Sequence, residues 1–261
     1  MNICSCIVNS NLKISENVYL IKFNAPEIAD KALSGQFVHV RISESIDPLL
    51  RRPFSIFSIN KKSGEVGILY RVVGRGTNLL SKITKGQVLN VLGPLGNSFP
   101  VEADYSTAVI VAGGMGVAPM FLLADQILKA GKNIRFLWGA RTKHEIWKDL
   151  LTYYPQIKFE IATNDGSAGF KGVVTDLVSN LIINLQPDQK IRGFVCGPQP
   201  LLEKLQSLIK GTGMEFFVSM EEKMACGIGV CQGCAVKTES QYKMVCSDGP
   251  VFNLEGIEFN G

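Results

Sequence analysis

The sequence has little histidine and no long apolar run. His39 and His144 are the only two histidines in 261 residues, so a metal site built mainly from imidazoles is excluded. No stretch reaches the roughly 18 uninterrupted apolar residues of a membrane-spanning helix. The start, Met1-Asn2-Ile3-Cys4, lacks the charged and apolar regions of a signal peptide. These absences predict a soluble cytoplasmic protein with no membrane partner.

The sequence also has no strong excess of either positive or negative charge. Lysine and arginine number 27 against 23 aspartates and glutamates, a net charge of +4. The basic residues are scattered rather than gathered into an arm, so nucleic acid is not an expected partner. Apolar residues make up 46% of the chain. At this length, that content predicts about two domains with real cores rather than a disordered chain.

Seven cysteines are the first positive signal. An odd count fits a disulfide framework badly, and in a cytosolic chain so many cysteines indicate metal or redox chemistry. Cys4 and Cys6 lie two apart on a predicted edge strand, where both side chains point to one face. Core packing is the expected role of this pair.

The first hundred residues show short β-type runs separated by turn residues, a pattern typical of an antiparallel β-barrel. After Asp104, buried strands alternate with helices, which is typical of a doubly wound parallel α/β domain. Beyond Met220, a glycine- and cysteine-rich segment is too short for a core of its own, so something other than burial must order it. The predicted domains are residues 1–101, 102–219 and 220–261.

The predicted elements are as follows. Strands of the barrel cover 18–23, 36–42, 54–59, 66–73 and 88–92, and strands of the α/β domain cover 108–112, 134–138, 158–162, 193–196 and 216–219. Helices cover 118–130, 145–153, 174–181 and 200–209.

Four cysteines near the end of the chain have the spacing C-x4-C-x2-C and then a fourth after eleven residues: Cys226, Cys231, Cys234 and Cys246. This is the plant-type pattern of [2Fe-2S] ligation. Intervening glycines suit a loop that turns tightly around sulfur and offers backbone N–H groups to it. A structural zinc site and unligated core cysteines are the alternatives, although zinc sites favour paired C-x2-C knuckles.

Two segments of the barrel could bind a flavin pyrophosphate. Arg52-Pro53-Phe54-Ser55 begins a β-run, and Gly74-Arg75-Gly76-Thr77 leads into a predicted helix over 78–83. A glycine turn capped by Thr at a helix start presents N–H groups and the positive dipole end to a phosphate, and an arginine could clamp the same group. Leu69-Tyr70-Arg71 lies on a later strand. By itself, an arginine in a strand is usually only a solvated charge.

A glycine-rich turn, Gly113-Gly114-Met115-Gly116, separates a buried strand from a helix that carries Pro119. Its place after the first strand of the α/β domain favours a dinucleotide phosphate site, although a tight turn alone could have this sequence. Cys196-Gly197-Pro198 ends a later strand at the same edge of the sheet; a small residue at a strand end is the plain alternative for Cys196. Asp165 favours NAD over NADP, and Arg141 leaves that choice open.

In this order, the motifs resemble those of the ferredoxin-NADP reductase superfamily. The resemblance implies that the barrel binds FAD, with Arg52 on the pyrophosphate, Ser55 near flavin N5, and residues 69–71 lining the ring and ribityl chain. It also implies that Gly114-x-Gly116-x-x-Pro119 belongs to an NAD site in which residues 196–198 position the nicotinamide. Phe54 replaces the tyrosine that many members carry, so stacking can survive but a hydroxyl contact cannot.

The whole layout closely resembles the electron-transfer subunit of B-type dihydroorotate dehydrogenase. The sharpest matches are residues 224–231 and 245–252. The resemblance implies that a partner subunit's FMN is reduced by dihydroorotate, and that electrons then pass through [2Fe-2S] and FAD to NAD+ in pyrimidine (UMP) biosynthesis. No (β/α)8 segment is left over in the chain to oxidise dihydroorotate, so no catalytic acid or base is assigned here. A heterotetramer with two chains of each kind is implied by family.

Two alternatives stay open. An FAD/[2Fe-2S] subunit of an electron-bifurcating or sulfide-oxidising NAD(P)H:ferredoxin reductase has the same layout, but in the bifurcating family the first cluster ligand is typically aspartate, and here it is Cys226. The alternative from outside the redox enzymes is a regulatory protein whose cysteine segment is held together by a structural zinc ion.

Overall fold

The computed structural model describes residues 2–184 and 189–259, and this part of the chain forms two compact units. The barrel unit comprises Met1–Phe99, Met220–Val236 and Tyr242–Val251. The nucleotide unit comprises Pro100–Ser219, Lys237–Gln241 and Phe252–Gly261. The cysteine segment therefore shares a unit with the predicted barrel. The three domain boundaries predicted from the sequence stay predictions.

One curved antiparallel sheet of seven strands dominates the barrel unit, in the order β4-β3-β7-β1-β2-β6-β5. Its strands are β1 Asn2–Ser15, β2 Val18–Asn24, β3 Phe37–Arg41, β4 Arg52–Ser55, β5 Ser58–Asn60, β6 Glu65–Arg71 and β7 Val88–Leu95. The two edge strands, β4 and β5, follow each other directly in the chain, so the sheet curls into a half-barrel. The predicted antiparallel architecture is confirmed.

Strand β1 carries Cys4 and Cys6, which the sequence predicted to lie on an edge strand. It runs for 14 residues and pairs with β7 over 2–7 and with β2 over 7–15, so both cysteines pair with β7 alone and lie where the strand is open on its other side. Cys6 is fully buried, and its thiol faces the carbonyl oxygen of Cys4 at 3.8 Å.

Two short helices also belong to this unit, α1 Pro26–Lys31 and α2 Arg75–Leu80. Helix α2 begins three residues before the predicted start, with Gly74 as its N-cap. Thr77 is therefore the third helical residue and not the cap. Its hydroxyl oxygen accepts hydrogen bonds from the backbone N–H groups of Val73 and Gly74, at 2.9 and 3.1 Å. That contact fixes the turn at the start of the helix.

The nucleotide unit is built on a seven-stranded sheet in the order β11-β10-β9-β8-β12-β13-β16. Its strands are β8 Thr107–Gly113, β9 Asn133–Ala140, β10 Phe159–Thr163, β11 Phe170–Lys171, β12 Ile191–Cys196, β13 Glu215–Ser219 and β16 Val251–Asn253. Its helices are α3 Val117–Lys129, α4 Lys148–Leu151, α5 Val174–Ile183 and α6 Gln199–Ile209. Strands β10, β9, β8, β12 and β13 pair in parallel, which confirms the doubly wound α/β prediction.

The predicted helix over 145–153 is shorter in the structure. Thr142 accepts a hydrogen bond from the backbone N–H of His144, and a 3-10 turn forms over Lys143–Glu145. Ile146 and Trp147 then adopt extended backbone and are buried, so α4 begins only at Lys148. Burial of two large apolar side chains outweighs local helix propensity here. No helix within the described ranges is long and apolar enough to cross a membrane.

Hydrogen bonds order the cysteine segment within the barrel unit, together with a small sheet of β14 Ala235–Lys237 and β15 Tyr242–Met244. The Asn97 side chain donates to the carbonyl oxygens of Asp248 and Val251 and accepts from the Val251 N–H, all within 2.8–3.0 Å. The backbone N–H of Asn97 also donates to Gly249, at 2.6 Å. The end of β7 thus holds the segment after Cys246 in place.

Candidate cofactor sites

The four predicted cluster cysteines form two neighbouring pairs. The thiol of Cys226 interacts with that of Cys231, and the thiol of Cys246 interacts with that of Cys234. Cys234 and Cys246 are buried, whereas Cys231 is exposed. A [2Fe-2S] cluster needs such an arrangement, because each of its two irons takes two thiolates.

Backbone N–H groups converge on two of these sulfurs. Gly229 donates to Cys246 Sγ at 3.0 Å, while Ile228 and Cys231 donate to Cys226 Sγ at 3.5 and 3.4 Å. Gly227 and Gly229 have φ of +73° and +84°, backbone conformations that favour glycine. Amide groups aimed at sulfur stabilise thiolate and its metal complex, so this loop fits the cluster that its spacing predicts.

The same contacts separate the pKa values of Cys226 and Cys246. Burial raises the pKa of Cys226, but the N–H groups of Ile228 and Cys231 outweigh it and bring that pKa down to about 6. Burial and the neighbouring Cys234 thiol raise the pKa of Cys246 to about 12, despite the N–H of Gly229. A bound cation offsets such repulsion between neighbouring thiolates and favours the ionised form of Cys246.

Within residues 2–184 and 189–259, no group of three or more His, Cys, Asp or Glu side chains converges as ligands of one metal ion. A structural zinc ion takes about four ligands in a tetrahedron, whereas a two-iron cluster spreads four thiolates over two metal centres. The pairing of Cys226 with Cys231 and of Cys246 with Cys234 fits the two-iron arrangement.

His39 adjoins the cysteine loop and was not predicted as a site residue. It is fully buried on β3, and its ring nitrogen Nδ1 lies against Gly227, where an added Cβ would sit only 2.4 Å away. Burial and the Arg51 charge lower the pKa of His39 to about 4, outweighing its interactions with the backbone of Cys226 and Arg51. A lone histidine in an apolar strand carries no sequence signal for such a contact.

The predicted flavin residues meet at the start of α2. The Arg52 guanidinium donates to the carbonyl oxygens of Leu50 and Arg51 at 2.7 and 3.2 Å. Its Nε lies 3.2 Å from the position that a Cβ on Gly76 would occupy. Gly76 therefore leaves room for the arginine beside the first turn of α2, whose N–H groups lack intrahelical acceptors. Cation and amide donors at one place fit a pyrophosphate.

Aromatic side chains line the neighbouring part of this sheet. Tyr70 stacks on Tyr19 at 5.7 Å and meets Phe54 edge-on at 5.8 Å. The Tyr70 hydroxyl donates to Asn11 at 3.1 Å, and burial keeps the pKa of Tyr70 well above its usual value. Phe54 and Ser55 are half-buried, as are Pro53 and Arg71, whereas Leu69 is buried. The structure thus brings Phe54 and Tyr70 together.

The glycine turn of the nucleotide unit lies at the point where strand order reverses. Strands β9 and β10 lie on one side of β8, and β12 and β13 lie on the other. An α/β sheet binds ligands at the carboxyl ends of its strands at such a point. Gly113 ends β8, Gly114 has φ of +54°, and Gly116 precedes α3. Pro119 lies in the first turn of α3, where its missing N–H costs little.

The end of β12 packs directly against this turn. A Cβ on Gly116 would lie 2.3 Å from the Cys196 carbonyl oxygen, and one on Gly113 would lie 2.9 Å from Pro198 Cδ. A Cβ on Gly197 would in turn lie 3.1 Å from Gly113 Cα. Cys196 is fully buried. The predicted NAD residues therefore come together at one switch point, and glycine is required wherever their backbones meet.

Arg141, which the sequence left ambiguous, is engaged by Glu145. The Glu145 carboxylate accepts from Arg141 Nη2 at 2.6 Å, from its Nε at 3.2 Å and from its backbone N–H at 3.1 Å, and it raises the pKa of the guanidinium. Arg141 follows β9, where Gly139 pairs with Gly113 of β8. Glu145 was not predicted, although its spacing of four from Arg141 is a usable signal. Asp165 accepts hydrogen bonds from Ser167, which lower its pKa.

Comparison with known proteins agrees with these sites. The family described as "Iron-sulfur cluster binding domain of dihydroorotate dehydrogenase B" matches residues 221–258. "Oxidoreductase FAD-binding domain" matches residues 5–99, and "Oxidoreductase NAD-binding domain" matches residues 110–207. The chain therefore carries domains for all three predicted cofactors.

Curated relatives decide the family. The "Dihydroorotate dehydrogenase B (NAD(+)), electron transfer subunit" of Desulforamulus reducens is 37% identical over 243 residues, which is 92% of each chain. The chain belongs to the dihydroorotate dehydrogenase B electron transfer subunit family. Members from Geobacillus kaustophilus and Fusobacterium nucleatum are 39% and 36% identical, over 94% and 99% of each chain. The resemblance drawn from the sequence is thereby confirmed.

Solved structures confirm the fold of this family member. A structure described as an NADH-dependent reduced ferredoxin-NADP oxidoreductase, studied for flavin-based electron bifurcation, aligns with a TM-score of 0.85 at 29% identity, covering 98% of this chain and 90% of that one. A ferredoxin NADP+ reductase from Neisseria gonorrhoeae aligns with a TM-score of 0.68 at 16% identity, covering 86% and 96%. The second likeness shows the fold alone.

Proposed function

We propose that this chain is the electron-transfer subunit of an NAD-dependent dihydroorotate dehydrogenase in pyrimidine biosynthesis. In this proposal it takes electrons from the FMN of a catalytic partner subunit and delivers them to NAD+, in a heterotetramer of two chains of each kind. The observation that carries the proposal is the pairing of Cys226 with Cys231 and of Cys234 with Cys246, in the same compact unit as the flavin residues. The cytoplasmic location predicted from the sequence stays a prediction.

Each cofactor has a proposed set of holding residues. Cys226, Cys231, Cys234 and Cys246 ligate the cluster. Arg52 and the N–H groups of Gly76 and Thr77 hold the FAD pyrophosphate, while Pro53, Phe54, Ser55, Leu69, Tyr70 and Arg71 shape the flavin side. Gly113, Gly114, Gly116 and Pro119 hold the NAD phosphates, and Cys196, Gly197 and Pro198 position the nicotinamide.

The protein's own part is to bind, orient and shield. When bound, a flavin exchanges electrons singly or in pairs, a [2Fe-2S] cluster passes them singly, and a nicotinamide takes hydride. Arg52, already held by the Leu50 and Arg51 carbonyl oxygens, presents a fixed positive charge. The buried Cys234 and Cys246 keep water from one half of the cluster site. None of these residues needs to act as an acid or base.

Co-expression with a candidate FMN subunit tests the proposal. We expect the purified complex to show flavin and iron-sulfur absorption and to reduce NAD+ when dihydroorotate is added, because electrons then have a continuous path. The partner alone, with the same dihydroorotate and NAD+, is the control. An intact complex that holds all its cofactors but does not reduce NAD+ would contradict the proposal.

A bifurcating reductase subunit is the second candidate function. The alignment with the bifurcating oxidoreductase covers 98% of this chain at a TM-score of 0.85, so the fold suits either role. NADH-dependent reduction of ferredoxin by the natural complex, with no response to dihydroorotate, would select this candidate. Cys226 in place of the aspartate typical of that family argues against it.

A substitution at Glu145 tests whether the protein prefers NAD or NADP. Glu145→Gln removes the negative charge that engages Arg141, so the guanidinium can attract a 2′-phosphate. We expect the ratio of kcat/KM for NADPH to that for NADH to rise about two- to fivefold, a size typical of exposed charge pairs. Steady-state reduction of a dye acceptor measures both values.

Glu160→Gln is the matched control for that substitution. Glu160 also forms a two-point ion pair, with Arg135 at 2.8 Å for both contacts, and it lies near the start of β10 rather than at the carboxyl edge of the sheet. We expect the NADPH to NADH ratio of this variant to match the unmodified protein. An equal rise in both variants would mean that Glu145 has no specific part in the choice.

A further inference from the structure

His39 occupies an unusual place for an imidazole. It lies in the middle of β3, where its neighbours Val38 and Val40 are fully buried as well. Among the described residues, neither of its ring nitrogens has a hydrogen-bond partner of ordinary geometry. A buried polar group left in this condition destabilises the fold, and an apolar side chain at this site would avoid that loss. Packing alone therefore does not explain the histidine.

His39 lies between the flavin strand and the cysteine loop. On β3 it pairs in register with Pro53 of β4, the residue after Arg52. Its ring faces Gly227, the residue after Cys226, and Nδ1 and Cε1 would lie 2.4 and 3.0 Å from a Cβ there. The ring also interacts with the backbone of Cys226. A single side chain thus touches the loop that carries the first cluster ligand.

Gly227 is the point at which this loop turns. It is buried and has φ of +73°, and the residues immediately after it supply N–H groups to sulfur. Ile228 N–H points to Cys226 Sγ and Gly229 N–H points to Cys246 Sγ. The direction of both amides depends on the conformation at Gly227, because a change in its dihedral angles rotates every following peptide.

We propose that His39 is a positioning residue that fixes the turn at Gly227 and thereby sets the reduction potential of the iron-sulfur cluster. N–H groups that point at cluster sulfur stabilise the more negative, reduced state. The imidazole acts on these donors through Gly227 and the Cys226 backbone. The inference rests on ligation of the cluster by the four cysteines, which is part of the proposed function.

His39→Leu tests the inference, because leucine fills the buried site without a polar atom. In the intact complex, or in the chain as purified with its cofactors, we expect the cluster to assemble but to become harder to reduce. When the His39→Leu variant is poised at the midpoint potential of the unmodified protein, we expect its ratio of reduced to oxidised cluster to be about threefold lower or more. The electron paramagnetic resonance (EPR) spectrum of the variant should also show altered g values. His39→Asn, which keeps a polar group near the place of Nδ1, recovers part of the shift.

His144→Leu is the matched control, since His144 is the other histidine and is exposed in the nucleotide unit. Its midpoint potential and EPR spectrum should equal those of the unmodified protein. Unchanged potential and g values in cluster-loaded His39→Leu would overturn the inference and leave the proposed function intact. Absence of a cluster from the unmodified protein would instead overturn the proposed function.

A second pair of variants covers the case in which His39→Leu fails to fold. Gly227→Ala places a Cβ against the imidazole, so we expect it to lose much of the EPR signal. Combining it with His39→Ala makes room for that Cβ, and we expect the double variant to recover signal relative to Gly227→Ala alone. Strictly additive losses would show that the two residues act independently, which also overturns the inference.

Discussion

Cys226→Ser is expected to abolish the [2Fe-2S] cluster and, with it, dihydroorotate-dependent reduction of NAD+. A serine oxygen is a harder, less readily ionised ligand than the thiolate, and iron in such clusters selects soft sulfur. The contacts at the Cys226 position are made for a thiolate, since two N–H groups donate to its sulfur and bring its pKa down to about 6. A serine hydroxyl at this position is not ionised at neutral pH, so it lacks the negative charge of the thiolate.

FAD should remain bound in Cys226→Ser, although both sites lie in the barrel unit. Arg52 is held by the carbonyl oxygens of Leu50 and Arg51, and the substitution leaves these contacts in place. We therefore expect NADH-dependent reduction of a dye acceptor to continue while electron transfer to or from the partner stops. Iron content, flavin content and both activities, measured on one preparation, separate these outcomes.

Cys4→Ser is the matched control for the loss of a cysteine. Cys4 lies on β1, away from the cysteine segment in sequence, and burial raises its pKa instead of lowering it. The variant should keep its full iron content and its visible spectrum. If Cys226→Ser retained a full-strength cluster, the assignment of Cys226 as a ligand would be wrong.

Gly116→Ala is expected to have the largest effect in the nucleotide unit. The new Cβ would lie 2.3 Å from the Cys196 carbonyl oxygen, 2.5 Å from the carbonyl carbon and 2.7 Å from the Gly197 nitrogen. All three atoms are backbone, so no side chain can rotate out of the way. Overpacking of this kind costs about 1–3 kcal/mol or more, and relief requires β12 and the glycine turn to separate.

Separation of these backbones would displace the proposed NAD site. We expect NADH-dependent reduction of the bound flavin to fall about tenfold or more, which corresponds to a misplaced hydride donor. The unfolding midpoint should also fall. Stopped-flow absorbance at the flavin band and thermal unfolding measure the two effects, and the cluster spectrum should not change.

Gly131→Ala controls for the cost of alanine in a left-handed conformation. Gly131 has φ of +71° in the turn after α3, and a Cβ there meets nothing within 4 Å. The free energy of unfolding of the Gly131→Ala variant should fall by about 1 kcal/mol because of backbone strain. Reduction of the flavin by NADH should not change. Equal loss of NADH reactivity in the two variants would exclude the contact with Cys196 as the cause.

The parts of the molecule that the sequence predicted well depend on local spacing. The C-x4-C-x2-C spacing lies within one short segment, and that segment matches an iron-sulfur cluster binding domain, while the ligand assignment stays a prediction. The glycine turn after β8 likewise follows from an adjacent strand and helix. Such patterns survive in the sequence because all their determinants are neighbours.

The parts that were missed depend on contacts between distant residues. The pairing of residues 2–7 of β1 with β7 joins residues that are distant in sequence, and no local pattern predicts it. His39 contacts Gly227 only when two segments that are distant in sequence come together in the fold. Thr77 was misplaced within its helix because its hydroxyl accepts from N–H groups that precede it.

The barrel unit takes its residues from both sides of Pro100–Ser219, the main segment of the nucleotide unit, and this imposes an order on biosynthesis. Asn97 is synthesised before that segment, but its partners Asp248, Gly249 and Val251 emerge from the ribosome only after it. The same holds for His39 and Gly227. The proposed cluster site is therefore complete only once translation has passed Cys246, after Pro100–Ser219 has been made.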